Sequence, residues 1–193
     1  MAEESASPTA EEFARALAEE ATKKAGLIWL TVAKSSDGRR QSSAPEDGRL
    51  GQAVWHVWHE GAACVVGGGI EQPLPDLAGA LEVVVTVTSK DKGDRLVSWV
   101  ARPRRLEPDT PEWQSAAAVL HAKRLNPPDG ERQPQRWAEE SQIWRLEPTG
   151  TVVEQPGAMP DTSGAAEPRP TAATTRGPLP FVLGRRARRR KAG

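Results

Sequence analysis

Between Gln52 and Pro103 short apolar runs alternate with tight-turn signals, and no helical period falls between them. Residues 52–58 (QAVWHVW) and 62–67 (AACVVG) flank Glu60-Gly61 and predict a β-hairpin. Residues 81–88 (LEVVVTVT) and 95–103 (RLVSWVARP) flank a turn over Lys90–Asp94 that carries Gly93, and they predict a second hairpin. Consecutive hairpins with helices only outside them fit an antiparallel barrel or an α+β sheet. A doubly wound α/β fold requires strands and helices to alternate, and that order is absent.

The flanking segments complete the pattern. Thr9-Ala-Glu-Glu12 has capping-box spacing and predicts a helix over 10–25, with Phe13, Ala16, Leu17 and Ala21 as its apolar stripe and Gly26 as its stop. Residues 27–33 (LIWLTVA) suit a buried strand, followed by a polar loop over 34–49 with turn signals at Asp37-Gly38 and Asp47-Gly48. Asp109 or Thr110 caps a helix over 111–125 that has Pro111 in its first turn. Asn126-Pro127-Pro128 ends it, and a polar stretch containing Gln133–Ala138 leads to a last strand over 142–147.

Composition narrows the setting. No stretch of 18 apolar residues occurs, so no membrane-spanning helix is expected. The acidic start MAEESASPTAEEF lacks the basic region and apolar run of a secretory leader, so the expected location is the cytoplasm. One cysteine, Cys64, allows no internal disulfide and no cysteine-based zinc site. Past Glu154 the chain turns to Pro, Ala, Gly, Thr and Arg and closes on Arg185, Arg186, Arg188, Arg189, Arg190 and Lys191. Such a segment buries too little to offset its ordering entropy. The expected organisation is a disordered start over 1–9, one folded domain over 10–148 and a disordered basic tail over 149–193. The 26 basic and 26 acidic residues balance, yet residues 154–193 carry +5 and the rest −5. A tail of that charge can make non-specific contact with nucleic acid or an anionic surface, or fold back on its own acidic body.

Chemistry-bearing patterns are few. There is no G-x-S-x-G, no P-loop and no Rossmann fingerprint, and no catalytic residue is assigned. His56 and His59 stand three apart, which in a strand puts them on opposite faces, so no metal site is expected there. Trp29, Trp55, Trp58, Trp99 and Trp144 fall in predicted strands and read as core and dimer interface, with one or two able to stack on a planar ligand. Cys64 reads as a small core residue.

Residues 53–62, AVWHVWHEGA, resemble the first barrel hairpin of the pyridoxamine 5′-phosphate oxidase-like proteins, the split β-barrel superfamily. The following strand, the second hairpin and the helix before a short last strand keep the same order over residues 10–148, as in actinobacterial members. The resemblance implies a split β-barrel homodimer that binds a small molecule, FMN or a deazaflavin, in a cleft between subunits. Its activity would be hydride transfer to a small organic substrate, with the redox work done by the cofactor ring. His56 and Trp58 would face the ring, and Gly67, Gly68 and Gly69 with Arg95 would approach the phosphate. The family's phosphate clamp, a Ser or Thr followed by Lys or Arg, falls on the segment 67–77. Here Pro73 stands at about the basic position and Glu71 adds a negative charge. The alternative is therefore a non-catalytic binding or structural split barrel that has lost the clamp. His56 on its own reads first as a half-buried histidine bonded to a neighbour, ahead of a residue facing a cleft.

Overall fold

The computed structural model of the chain describes residues 9–32, 51–90 and 93–160. The start read as disordered, the polar loop over 34–49, the central residues of the Lys90–Asp94 turn and the Arg-rich end lie outside the described residues.

Thr9 caps helix α1 (Ala10–Lys24) as its spacing predicts: its hydroxyl accepts from Glu12 N–H at 3.3 Å, and Glu12 Oε2 accepts from Thr9 N–H at 2.7 Å. The face it buries differs from the expected stripe. Ala14, Ala18, Ala21 and Thr22 pack inward, whereas Phe13 is 61% exposed. Small residues let the helix lie close against the end of the sheet, and a Phe at that contact would hold it off.

The strands are β1 (Leu27–Val32), β2 (Gln52–Trp55), β3 (Val57–His59), β4 (Ala62–Gly67), β5 (Val83–Thr88), β6 (Arg95–Leu106) and β7 (Gln142–Glu154). They form one antiparallel sheet in the order β2-β1-β5-β6-β7-β4-β3. Its two outer strands, β2 and β3, follow one another in the chain and are separated only by His56. The sheet therefore curls until its edges meet through a covalent link, which removes most of the free edge. This is the antiparallel split barrel with an N-terminal helix and a helix before the last strand.

Both predicted hairpins form. Glu60 and Gly61 take positive φ (46° and 79°), the geometry of a two-residue turn that matches strand twist, and His59 pairs with Ala62. The single strand expected over 52–58 is instead two, broken at His56, because its halves pair with different neighbours: β2 with β1 and β3 with β4.

Side-chain alternation along the strands separates two cores. Ala63, Val65, Val83, Val85, Val97, Trp99, Trp144 and Leu146 fill the barrel with Ala18 and Ala21 of α1. Cys64, Val66, Leu106 and Ile143 point the other way, onto helices α2 (Pro111–Lys123) and α3 (Gln133–Glu140) through Trp113, Leu120 and Trp137. Thr110 is the N-cap of α2, and its hydroxyl accepts from Trp113 N–H at 3.2 Å. Helix α3 lies in the stretch read only as polar.

The last strand also exceeds its expected span, and residues 149–154, read as tail, belong to the sheet. Trp99 faces Val152 and Ala101 faces Pro148, so β7 bulges over Thr149–Thr151 against Val100. Thr149 Oγ1 closes that bulge by donating to Val100 O at 3.1 Å.

Candidate functional site

A cavity of about 310 Å³ opens between α1, the β3–β4 turn and the β7 bulge. Trp58 and Trp99 form one wall, their rings edge to face with centroids 6.1 Å apart. Val152 and Pro148 add apolar surface, while Arg15 and Glu19 supply charge. Gly150, at φ +88°, carries the bulge past α1, and Arg15 Nε donates to its carbonyl at 3.3 Å. It is that backbone conformation which favours glycine here, since an added Cβ would sit 3.4 Å from the guanidinium, an ordinary contact. The result is an apolar slot with two tryptophans and one anchored cation, near the lower end of small-molecule sites at roughly 300–1,000 Å³.

Of the residues singled out from sequence, Trp58 and Trp99 line this cavity. His56 lies behind it. Its Nε2 donates to Thr22 O at 2.9 Å, Thr22 Oγ1 donates to Ala18 O at 2.6 Å, and Trp99 Nε1 donates to Thr22 Oγ1 at 3.1 Å. Burial holds the His56 imidazole below its ordinary pKa, against the opposing pull of the Thr22 carbonyl. The ring is therefore neutral, protonated on Nε2, with Nδ1 buried and unpartnered. His59 turns the other way, its Nε2 2.8 Å from Ser115 Oγ on α2.

Gly67, Gly68, Gly69 and Arg95 are not lining residues of the cavity. Gly67 pairs with Gln142, and an added Cβ would stand 2.7 Å from Gln72 O. Gly68 and Gly69 have φ of +92° and +58° and turn the chain tightly over Glu140 and Ser141. Ser141 Oγ and Glu71 N–H both donate to Gly68 O. The glycines thus deliver Glu71 into the interior against α3. Arg95 Nη1 donates to Glu154 Oε1 at 2.7 Å, and Glu154 Oε2 accepts from Ser98 Oγ at 2.7 Å. Glu154 is 4% exposed, so that carboxylate engages Arg95 inside the fold.

Two sets of functional-looking residues carry no sequence signature. Arg15 reads as one more charge on an acidic helix. Of the residues that surround Glu71, Arg124 reads as one more charge at the end of the helix predicted over 111–125, and Gln133, Arg136 and Trp137 sit where the sequence looks like a solvated linker. A lone Trp in that stretch, three residues after Pro134, was the available hint of a buried helix face. Among the described residues no His, Cys, Asp and Glu cluster is arranged to hold a metal ion, and no helix is long and apolar enough to cross a membrane.

No family profile matches the chain, and no curated protein matches it. Among solved structures it is similar to HutZ, the heme storage protein of Vibrio cholerae, at 14% identity and a TM-score of 0.46, over 70% of this chain and 89% of that one. An FAD-binding protein of Mesorhizobium loti aligns at 14% identity and a TM-score of 0.41, over 70% and 87% of the two chains. A Clostridium acetobutylicum protein of the pyridoxinephosphate oxidase family, related to general stress protein 26, aligns at 11% identity and a TM-score of 0.41, over 72% and 86%. At these scores the matches say nothing about ligand or activity in this chain.

Proposed function

We propose that the chain is a split-barrel protein that binds a planar heteroaromatic cofactor of the flavin or deazaflavin class by its ring. The observation that carries this reading is the slot itself, with Trp58 and Trp99 on one wall and Arg15 tied in place beside them. Its volume suits one ring system and not a dinucleotide. Hydride transfer to a small organic substrate would be the ring's chemistry, with the protein supplying orientation and exclusion of water. Two copies of the chain pair as a homodimer, which light scattering checks by mass.

The ring, and not the phosphate, supplies the affinity in this reading. Titration of tryptophan fluorescence with riboflavin, FMN and a deazaflavin is expected to quench, with riboflavin and FMN equal within about threefold. Trp58→Ala weakens all of them roughly tenfold, the loss of one aromatic wall. No quenching by any of the three at high micromolar concentration overturns the proposal.

A second reading has its own support. The segment after β4 presents Glu71 and Pro73 where the resemblance calls for a cation, and Arg95 is engaged by Glu154. Those two features favour a binding or structural split barrel that works without a flavin. Absent quenching together with an intact dimer is the outcome that selects it.

A further inference from the structure

Glu71 carries its charge into the interior: its side chain is 3% exposed. Oε1 accepts from Gln133 Nε2 at 2.9 Å, Arg136 Nη2 at 3.0 Å and Trp137 Nε1 at 3.0 Å. Arg124 Nη2 lies 3.2 Å from Oε2. The donors come from the end of α2 and from α3, so a loop carboxylate is held by a cage built on two helices.

The carboxylate does not use this cage up. Arg124 Nε and Arg136 Nη1 are buried N–H groups without a partner, and Gln133 Oε1 is a buried acceptor without a donor. The Gln133 amide cannot be turned to relieve this, because its oxygen would then face Glu71 Oε1. Leaving such groups unpaired is costly, and a carboxylate, with two oxygens and no proton, cannot answer them all. A hydrogen phosphate offers further acceptor oxygens and an O–H to donate. The leftover groups, two donors and one acceptor, match what it adds. Asp129 takes Arg136 Nε, and Glu140 Oε2 stands 4.0 Å from Arg136 Nη1, so part of that guanidinium is already balanced. Arg124 pairs with no carboxylate other than Glu71 among the described residues.

We propose that Arg124, Gln133, Arg136 and Trp137 form an oxyanion-binding cage in which Glu71 is the internal occupant, and that a free phosphate-type oxyanion competes with Glu71 for it. The loop that would yield turns on two positive-φ glycines, Gly68 and Gly69, and Ile70 beside them is 67% exposed. The residue after Glu71, Gln72, is bonded to the backbone of Trp55 where β2 meets β3. Occupancy of the cage is thereby linked to the junction that closes the barrel.

The probe is inorganic phosphate, compared with potassium chloride at matched ionic strength. In the full chain the Trp137 indole N–H resonance, assigned by its loss in Trp137→Phe, shifts with phosphate at millimolar concentration and not with chloride. Removing the internal competitor tightens the response: Glu71→Ala shifts at roughly tenfold lower phosphate. Glu71→Gln keeps the shape and is expected to move in the same direction, so the test survives a poorly folded alanine variant. Adding Arg136→Met to either variant abolishes the shift. A resonance unmoved by phosphate in the full chain or in Glu71→Gln, an equal midpoint in both, or a response kept without Arg136, overturns the proposal.

Discussion

The side-chain amide of Gln72 pairs with the backbone of Trp55 as a neighbouring strand would: Oε1 accepts from Trp55 N–H at 2.7 Å, and Nε2 donates to Trp55 O at 2.8 Å. Nε2 also reaches Val66 O at 3.1 Å, so one side chain spans the gap between β2 and β4. The gap exists because the chain leaves one edge of the sheet at Trp55 and joins the other at Val57. Backbone groups stranded there need partners, and Gln72 supplies them.

Gln72→Ala is therefore expected to destabilise the fold by about 2–4 kcal/mol, since it strips part-buried backbone groups of their bonds. Gln72→Glu should not restore stability, because a carboxylate cannot donate to Trp55 O or Val66 O. Chemical denaturation reads both. A midpoint unchanged in either variant contradicts the bridging role.

How legible the chain was follows from how local each feature is. The α1 cap and the Glu60-Gly61 turn are written in four or fewer adjacent residues, and both form as read. The orientation of α1 is not local. Phe13 looked like the natural core contact, but the barrel end accepts Ala14, Ala18 and Thr22, and Thr22 is the residue that His56 and Trp99 bond. The break at His56 is hidden for the same reason: QAVWHVW has a strand's composition throughout, and only pairing with two different partners divides it. In the site, Trp58 was legible as an aromatic at a strand end. Arg124, Gln133 and Arg136 were not, because a charged or polar residue at a helix end or in a linker-like stretch gives no sign that a distant carboxylate will bury it.

The tail boundary yields a second prediction. Glu154 lies beyond the expected end of the domain, yet its carboxylate bonds Arg95 and Ser98, and Ser98 Oγ is 2.9 Å from Thr86 Oγ1. A chain ending at residue 148 loses this set together with the bulge and is expected to be less stable than one ending at residue 160 by about 3–5 kcal/mol, the range for breaking a buried ion pair. Equal unfolding midpoints for the two chains would show that the end of β7 contributes nothing.

Cys64 gives a third. It lies on β4 with no exposed surface, facing the α2–α3 core, and burial pushes its thiol pKa up to about 11. At pH 8 almost none of it is thiolate, and no reagent reaches it without opening of the sheet. A thiol-exchange chromophore should react with no cysteine in the native protein and with one after denaturation. Rapid labelling of the native protein would place Cys64 at an accessible surface.

His56 sets a pH dependence whose sign follows from its surroundings. Burial depresses its pKa in the fold below the ordinary 6.5, with the bond to Thr22 O as the smaller, opposing cause. The unfolded chain thus binds a proton that the folded chain refuses. Stability from this group is complete above about pH 6.5 and is lost as the pH falls toward the depressed folded value, at up to about 1.4 kcal/mol per pH unit. Carboxylates of an unfolded chain titrate lower, at about 4, and do so in any variant, so the comparison must isolate the imidazole. His56→Gln retains an N–H for Thr22 O and removes the titration. Between about pH 5 and 6.5 the wild-type unfolding free energy should fall while that of His56→Gln stays nearly flat. Parallel curves would mean that His56 is solvated or protonated in the folded barrel, and with it that the Thr22–Trp99 wall behind the cavity is not closed.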